Sequence, residues 1–175
     1  MDVSQYLEIF IEETKEHLQS LNEHILILEK ESDNQETITE IFRAAHSLKG
    51  MAGTMGFTKM QKVTHDLENV FSEIRSGNMK VSSRLVDVLF EGIDLIESLL
   101  ESIQSTSTEG QIDPTSFIEE LDNTLKEGLG ANGVSSDVIE QVLNDEGQED
   151  KEKAKENAGE YEENISKLIY EEHEL

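Results

Sequence analysis

The chain has 175 residues, no cysteine, one proline and a net charge of −25. Its length suits one domain of ordinary size with a tail. The lack of cysteine suits a reducing cytoplasm. The negative charge argues strongly against nucleic acid and anionic membranes as partners, because both bind basic surfaces. The N-terminus lacks the basic region of a signal peptide, and no apolar run reaches the roughly 20 residues needed for membrane insertion.

Five segments carry apolar residues at helical spacing, which predicts an all-α protein. The first is the clearest, because its apolar positions follow a heptad-like pattern from Leu7 to Leu28. Gly56 predicts a left-handed end for the second helix, and Asp113-Pro114 predicts the start of the fifth. The predicted helices cover residues 3–31, 35–55, 58–76, 82–103 and 114–127.

Short connections between the first four helices predict an antiparallel four-helix bundle, to which the fifth helix is an addition. We expect the domain to cover residues 1–128 and to be monomeric, although the pattern of the first helix could also form a dimer. Residues 129–175 are predicted to be an acidic linker, weakly helical in places and largely disordered. Positions 145–175 alone hold twelve acidic residues and four lysines. The remaining charge is interpreted as solvated helix faces, with nucleic-acid mimicry as an alternative.

His46 lies on the polar side of the second predicted helix, nearly opposite the apolar stripe. The residues within roughly 60° of it include Phe42, Arg43, Lys49, Gly50 and Gly53. Each glycine in an exposed helix interior costs about 1 kcal/mol relative to alanine, so two on one face indicate the close approach of a partner. We therefore predict a docking surface formed by Phe42, Arg43, Gly50 and Gly53.

His65 occupies the same kind of position on the third predicted helix. If the chain reverses near Gly56, Glu68 is the nearest carboxylate to His46. A carboxylate bonded to one imidazole nitrogen fixes the tautomer and raises the basicity of the other nitrogen. Lys49, one turn after His46, could bind phosphoryl oxygens and offset their charge. These positions predict phosphoryl transfer through His46, with His65 as a supporting histidine rather than a second acceptor.

Other functions are left open or are excluded by spacing. Most lone surface histidines have no function, so a non-catalytic acidic helical-bundle interaction module remains the alternative. None of the five histidines follows an acidic residue by three positions, which excludes the Glu-x-x-His pattern of di-iron bundles. Residues 50–59 lack the Gly-x4-Gly-Lys-Ser/Thr pattern of a nucleotide-binding loop. No bound cofactor or metal is predicted, and the phosphoryl group should come from elsewhere.

The segment from Phe42 to Phe57, FRAAHSLKGMAGTMGF, followed by His65-x-x-Glu68, closely resembles histidine phosphotransfer domains. More narrowly, it is similar to the N-terminal domain of bacterial chemotaxis histidine kinases of the CheA type. The resemblance covers roughly residues 1–128 and implies a four-helix bundle with a fifth helix packed on it. It also implies that His46 is the phosphorylated residue, with Lys49, His65 and Glu68 around it.

The resemblance further implies a path for the phosphoryl group. A separate ATP-binding domain of the kinase would phosphorylate His46, and the group would pass to an aspartate in the receiver domain of a response regulator of the CheY or CheB type. The bundle would be a phosphoryl carrier without an ATP site, although its parent would be an ATP-dependent protein histidine kinase. The dimerisation, ATP-binding and receptor-coupling domains of such a kinase are absent from the 175 residues.

Overall fold

The structure is a computed structural model that describes residues 3–131. Five α-helices account for nearly all of this part of the chain, which confirms the predicted all-α bundle. The helices are α1 (Val3–Lys30), α2 (Gln35–Met55), α3 (Thr58–Arg75), α4 (Ser83–Thr106) and α5 (Thr115–Ala131). Two helices extend past their predicted ends, α4 beyond residue 103 and α5 beyond residue 127. The predicted acidic linker lies outside the described residues from position 132 onward.

The helix boundaries follow from local backbone chemistry. Side chains of Asn34 and Ser82 each accept a hydrogen bond from a backbone N–H in the first turn of α2 and α4, both at 3.1 Å. Gly56 ends α2 with φ 77°, a left-handed conformation that glycine adopts without steric cost. The backbone N–H of Phe57 then donates to Ala52 O at 2.9 Å, which closes the turn into α3.

The first four helices pack in a closed ring, because α1 contacts both α2 and α4 while α3 contacts both α2 and α4. Helix α5 lies against α3 and α4 and covers part of α4, whose apolar residues surround much of its circumference. The buried stripe of α1 differs from the predicted pattern at its start: Phe10 is fully buried, whereas Leu7 and Ile11 are only partly buried. The reason is a contact between the rings of Phe10 and Phe57, with centroids 5.1 Å apart.

None of the helices in the described range, residues 3–131, is long and apolar enough to cross a membrane. Since apolar side chains fill the interior of the ring, the polar faces of α2 and α3 remain outside the core and meet along one groove. His46 and Glu68 lie along this groove.

Candidate functional site

The tight turn at Gly56 places α2 and α3 side by side and brings His46 to Glu68. Nδ1 of His46 lies 2.8 Å from Oε1 of Glu68, 22 residues further along the chain. This is the contact that the hairpin geometry predicts. The His46 side chain is 30% exposed, whereas the Glu68 side chain is 12% exposed. The acceptor candidate thus reaches the surface while its carboxylate partner is largely enclosed.

Lys49 differs from the sequence prediction, which put it on the exposed side beside His46. Its side chain is 7% exposed, and Nζ lies 2.8 Å from Oε2 of Glu68. The rotation argument fixes the direction in which the side chain leaves the helix, but not where a four-carbon side chain ends. A buried ammonium is costly unless paired, so Lys49 turns toward the carboxylate. Glu68 therefore holds His46 with one oxygen and Lys49 with the other.

The surroundings of Glu68 keep it ionised. Burial by itself raises the pKa of this carboxyl, because a low-dielectric environment disfavours the charge. The hydrogen bonds from His46 and Lys49, together with their charges, outweigh burial and hold the pKa of Glu68 below its usual value of 4.5. An ionised carboxylate on Nδ1 is what a nucleophilic imidazole requires, because the tautomer is then fixed with its lone pair on Nε2.

One face of the His46 ring lies against an aromatic side chain. The rings of Phe42 and His46 are nearly parallel, with an interplanar angle of 12° and centroids 6.1 Å apart. The guanidinium carbon of Arg75 lies 3.9 Å from the centroid of the Phe42 ring. Arg75 is in the last turn of α3, so this contact spans the groove between the two helices. Sequence reasoning missed Arg75, since no spacing rule connects it to residue 42.

His65 lies one helical turn before Glu68 and is partly exposed. Its Nδ1 is 3.0 Å from Oδ1 of Asp66, and the same oxygen lies 3.0 Å from Nζ of Lys62. Asp66 is only 5% exposed and was not identified from the sequence, where it reads as one more acidic residue on a polar face. The supporting role of His65 stays a prediction.

The residues predicted to form a docking surface lie in different environments. Arg43 is well exposed, and its Nη1 lies 3.4 Å from a Glu40 oxygen. Gly50 is partly buried. A Cβ added to Gly53 would lie 2.6 Å from Nε2 of Gln61 on α3, so this glycine makes room for a side chain of the neighbouring helix. Phe42 faces both His46 and Arg75 rather than solvent alone.

Within residues 3–131, no group of three or more His, Cys, Asp or Glu side chains is arranged to hold a metal ion. Around His46, the structure shows an imidazole bonded to a carboxylate that also contacts a buried lysine.

Comparison with known proteins identifies the family of the chain. The Hpt domain family matches residues 5–106. The chain belongs to the Hpt domain family. Two relatives, both chemotaxis proteins CheA, are 52% identical over 103 residues in Bacillus subtilis and 42% identical over 136 residues in Halobacterium salinarum. These matches cover 59% and 77% of this chain but only 15% and 20% of the relatives, so this Hpt domain spans a small part of their length.

Solved structures place the Hpt domain among the phosphotransfer domains of CheA. A histidine phosphotransfer domain of CheA is 41% identical with a TM-score of 0.65, and the match covers 70% of this chain and 92% of that one. The CheA phosphotransferase domain from Thermotoga maritima is 47% identical with a TM-score of 0.57, covering 59% and 98%. The phosphorylated P1 domain of CheA3 in complex with CheY6 from R. sphaeroides shares the fold, with 16% identity, a TM-score of 0.64 and coverage of 71% and 98%.

Proposed function

We propose that His46 accepts a phosphoryl group from a separate ATP-binding kinase domain and passes it to an aspartate in a response-regulator receiver domain. The observation that carries the proposal is the 2.8 Å contact between His46 Nδ1 and Glu68 Oε1 on a partly exposed helix face. The neighbouring kinase domain would bind ATP, and the work of this domain would be to carry the phosphoryl group. Because ATP is the source, we place the domain in the cytoplasm.

The chemistry starts with the Nδ1–H of His46 donating to Glu68, which leaves the lone pair on Nε2 for attack at phosphorus. The new N–P bond forms as the bond between the γ-phosphorus and the bridging oxygen of ATP breaks. The ionised Glu68 then stabilises the positive charge that develops on the ring through the retained Nδ1–H bond. In the second step a receiver carboxylate oxygen attacks phosphorus, and the N–P bond breaks to return neutral His46.

Lys49 was predicted to contact phosphoryl oxygens. Its ammonium lies against Glu68, which favours an indirect action: it keeps the carboxylate ionised and in place. A direct contact would require Nζ to turn away from Glu68 or to be shared between the carboxylate and the phosphoryl group. We propose the indirect role as the main contribution of Lys49.

The proposed partners follow from the domain type and from a fold relative. The CheA3 domain with the same fold is phosphorylated and bound to CheY6. A receiver domain of the CheY or CheB type is therefore the partner that we propose for the second step. Arg43 and Gly50 lie near His46 on α2 and are proposed to contact the incoming domain.

The direct test incubates the chain with a chemotaxis kinase catalytic core and γ-labelled ATP. We expect wild type and His65→Gln to acquire acid-labile, base-stable label, and His46→Gln to acquire none. His46→Gln should change the free energy of unfolding by about 1 kcal/mol or less, because the side chain lies off the core.

Two results would contradict the proposal. Label on a folded His46→Gln variant would place the acceptor elsewhere. No label on folded wild type, with a catalytic core that phosphorylates a known acceptor, would favour a non-catalytic interaction module instead.

A further inference from the structure

The plane of the His46 ring is fixed by more than its hydrogen bond. A bond at Nδ1 restrains one edge of an imidazole, but the side chain can still undergo a combined rotation about Cα–Cβ and Cβ–Cγ that keeps Nδ1 near Glu68 Oε1 while Nε2 moves. Attack on phosphorus requires the Nε2 lone pair to point along the reaction axis, so this rotation matters for the rate. A second contact, against the face of the ring, would remove it.

Phe42 makes that second contact. It precedes His46 by one helical turn on α2, the spacing at which side chains of one helix meet. The two rings are 12° from parallel, with centroids 6.1 Å apart, within the range of offset aromatic stacking. Phe42 is partly buried and packs against the core, which leaves part of its ring available for contacts at the surface.

Arg75 holds Phe42 from the opposite helix. Its guanidinium carbon lies 3.9 Å from the Phe42 centroid, well inside the limit of about 6 Å for a cation–π contact. A cation in the last turn of α3 also suits the helix dipole, but that effect does not require it to cross the groove onto an aromatic ring. The arrangement links α3 to the ring face of His46 through Phe42, just as Glu68 links α3 to the ring edge.

We propose that Phe42 and Arg75 are positioning residues, which together hold the His46 imidazole in the plane required for phosphoryl transfer. Arg75 acts through Phe42 and does not itself contact the reacting atoms. The inference rests on the proposed role of His46 and adds a specific claim: loss of either residue slows phosphoryl acceptance from any donor, including one too small to need a docking surface.

The test uses phosphoramidate as that small donor. Nε2 of His46 forms a bond to phosphorus while the P–N bond of the protonated donor breaks and ammonia leaves. We expect Phe42→Leu and Arg75→Gln each to lower the rate about two- to fivefold, the range expected for losing an exposed cation–π contact. Phe42→Tyr, which keeps the ring, should react like wild type. Arg84→Gln removes the same charge from an exposed site beside Glu127 and serves as the matched control.

Two further readouts separate positioning from a general loss of structure. Because Arg75 acts through Phe42, the double variant should be no slower than Phe42→Leu, a non-additive result expected of residues in one chain of contacts. Arg75→Gln removes no aromatic ring, so a shift of the His46 ring protons in its NMR spectrum would report movement of Phe42. With the kinase domain as donor, kcat should fall while KM stays the same.

The outcomes are distinguishable. Normal phosphoramidate rates in folded Phe42→Leu and Arg75→Gln would overturn the inference, and a raised KM with the kinase domain would then assign both residues to docking. Additive losses in the double variant would also overturn it. If wild type gains no phosphoryl group on His46 from either donor, the proposed function fails, whatever Phe42 and Arg75 do.

Discussion

At the scale of single residues, Glu68 is the centre of the site because it serves two partners at once. Its Oε1 holds His46, and its Oε2 holds the buried Lys49, both at 2.8 Å. Removing the carboxylate charge therefore has a kinetic consequence at His46 and an energetic consequence at Lys49. The two consequences can be measured separately.

The kinetic prediction concerns Glu68→Gln. An amide in this place cannot stabilise an imidazolium as a carboxylate does, and its NH₂ can favour the wrong ring tautomer. We expect phosphorylation of His46 to slow by about tenfold to a hundredfold without being abolished. Single-turnover labelling with an excess of the kinase domain measures this rate. An unchanged rate in the folded variant would remove Glu68 from the mechanism.

The energetic prediction concerns the pH dependence of stability. Because the pKa of Glu68 is lower in the folded chain than its usual value of 4.5, its carboxylate stabilises the fold above that value. This stabilisation is lost as the pH falls through the lowered pKa. At neutral pH, Glu68→Gln removes the negative charge that lies against the buried Lys49 ammonium and should cost about 3 kcal/mol.

Urea unfolding of wild type and Glu68→Gln between about pH 3 and pH 7 tests this linkage. The difference between the two free energies of unfolding should be largest near neutrality and should shrink below about pH 4.5. Lys49→Met in the Glu68→Gln background should recover part of the loss, because it removes the buried ammonium that the Glu68 carboxylate no longer balances. A pH-independent difference would contradict the role assigned to the charge.

The sequence predicted the contact between His46 and Glu68 better than it predicted the contacts of the residues around them. Helix rotation and an antiparallel hairpin are enough to bring His46 to Glu68, because both depend only on backbone geometry. They do not predict that Lys49 is buried, since the end of a long side chain follows local charge. Nor do they predict Arg75 on Phe42 or the buried Asp66, because these contacts depend on side-chain directions that periodicity does not encode.

At the scale of the helices, boundaries were predictable where a residue with strong local preference marks them. Gly56 is such a residue, and α2 ends where it predicts. The end of α4 was placed too early. Ser107 ends that helix in a left-handed conformation, with φ 60°. A serine rarely adopts this conformation, so its presence in the sequence does not predict a helix end.

The contact between α4 and α5 depends on Gly92. A Cβ at this position would lie 2.7 Å from Cζ of Phe117 on α5 and 3.1 Å from Cδ2 of Leu67 on α3. We expect Gly92→Ala to lower the free energy of unfolding by about 1–3 kcal/mol, because these buried side chains have little room to move. Gly130→Ala on α5 is the matched control, since nothing lies within 4 Å of its added Cβ.

Urea unfolding measures both variants, and Phe117→Leu in the Gly92→Ala background should restore part of the stability by making space. Gly130→Ala should leave stability unchanged or raise it by up to about 1 kcal/mol through helix propensity. Equal stability of Gly92→Ala and wild type would show that α5 can shift away from α4 at little cost.

At the scale of the whole molecule, the negative charge of the described helices is unevenly distributed. Helix α1 holds six glutamates and two lysines, and α4 holds five acidic residues and one arginine. Helices α2 and α3 together hold five acidic and five basic residues. Helices α2 and α3 are thus neutral as a pair in a chain of net charge −25, whereas α1 and α4, which contact each other, both carry a net negative charge and are expected to repel each other.

Screening of this repulsion gives a testable effect of salt. Glu23 and Glu97 line the same surface groove, on α1 and α4 respectively. Raising the ionic strength from about 0.01 M to 0.15 M shortens the screening distance from about 30 Å to 8 Å, so repulsion across this groove weakens while the buried pair of Lys49 and Glu68 is little affected. We expect Tm to rise by about 2–5 °C over this range.

A double variant separates the effect of the charges between α1 and α4 from the effect of the remaining charge. Glu23→Gln with Glu97→Gln should raise Tm at low salt and reduce its further rise, because two of the charges being screened are gone. Glu40→Gln, in the nearly neutral pair of helices beside Arg43, should leave the salt dependence as it is. A wild-type Tm that falls with salt would mean that attractive ion pairs, rather than repulsion between α1 and α4, dominate the electrostatics of the fold.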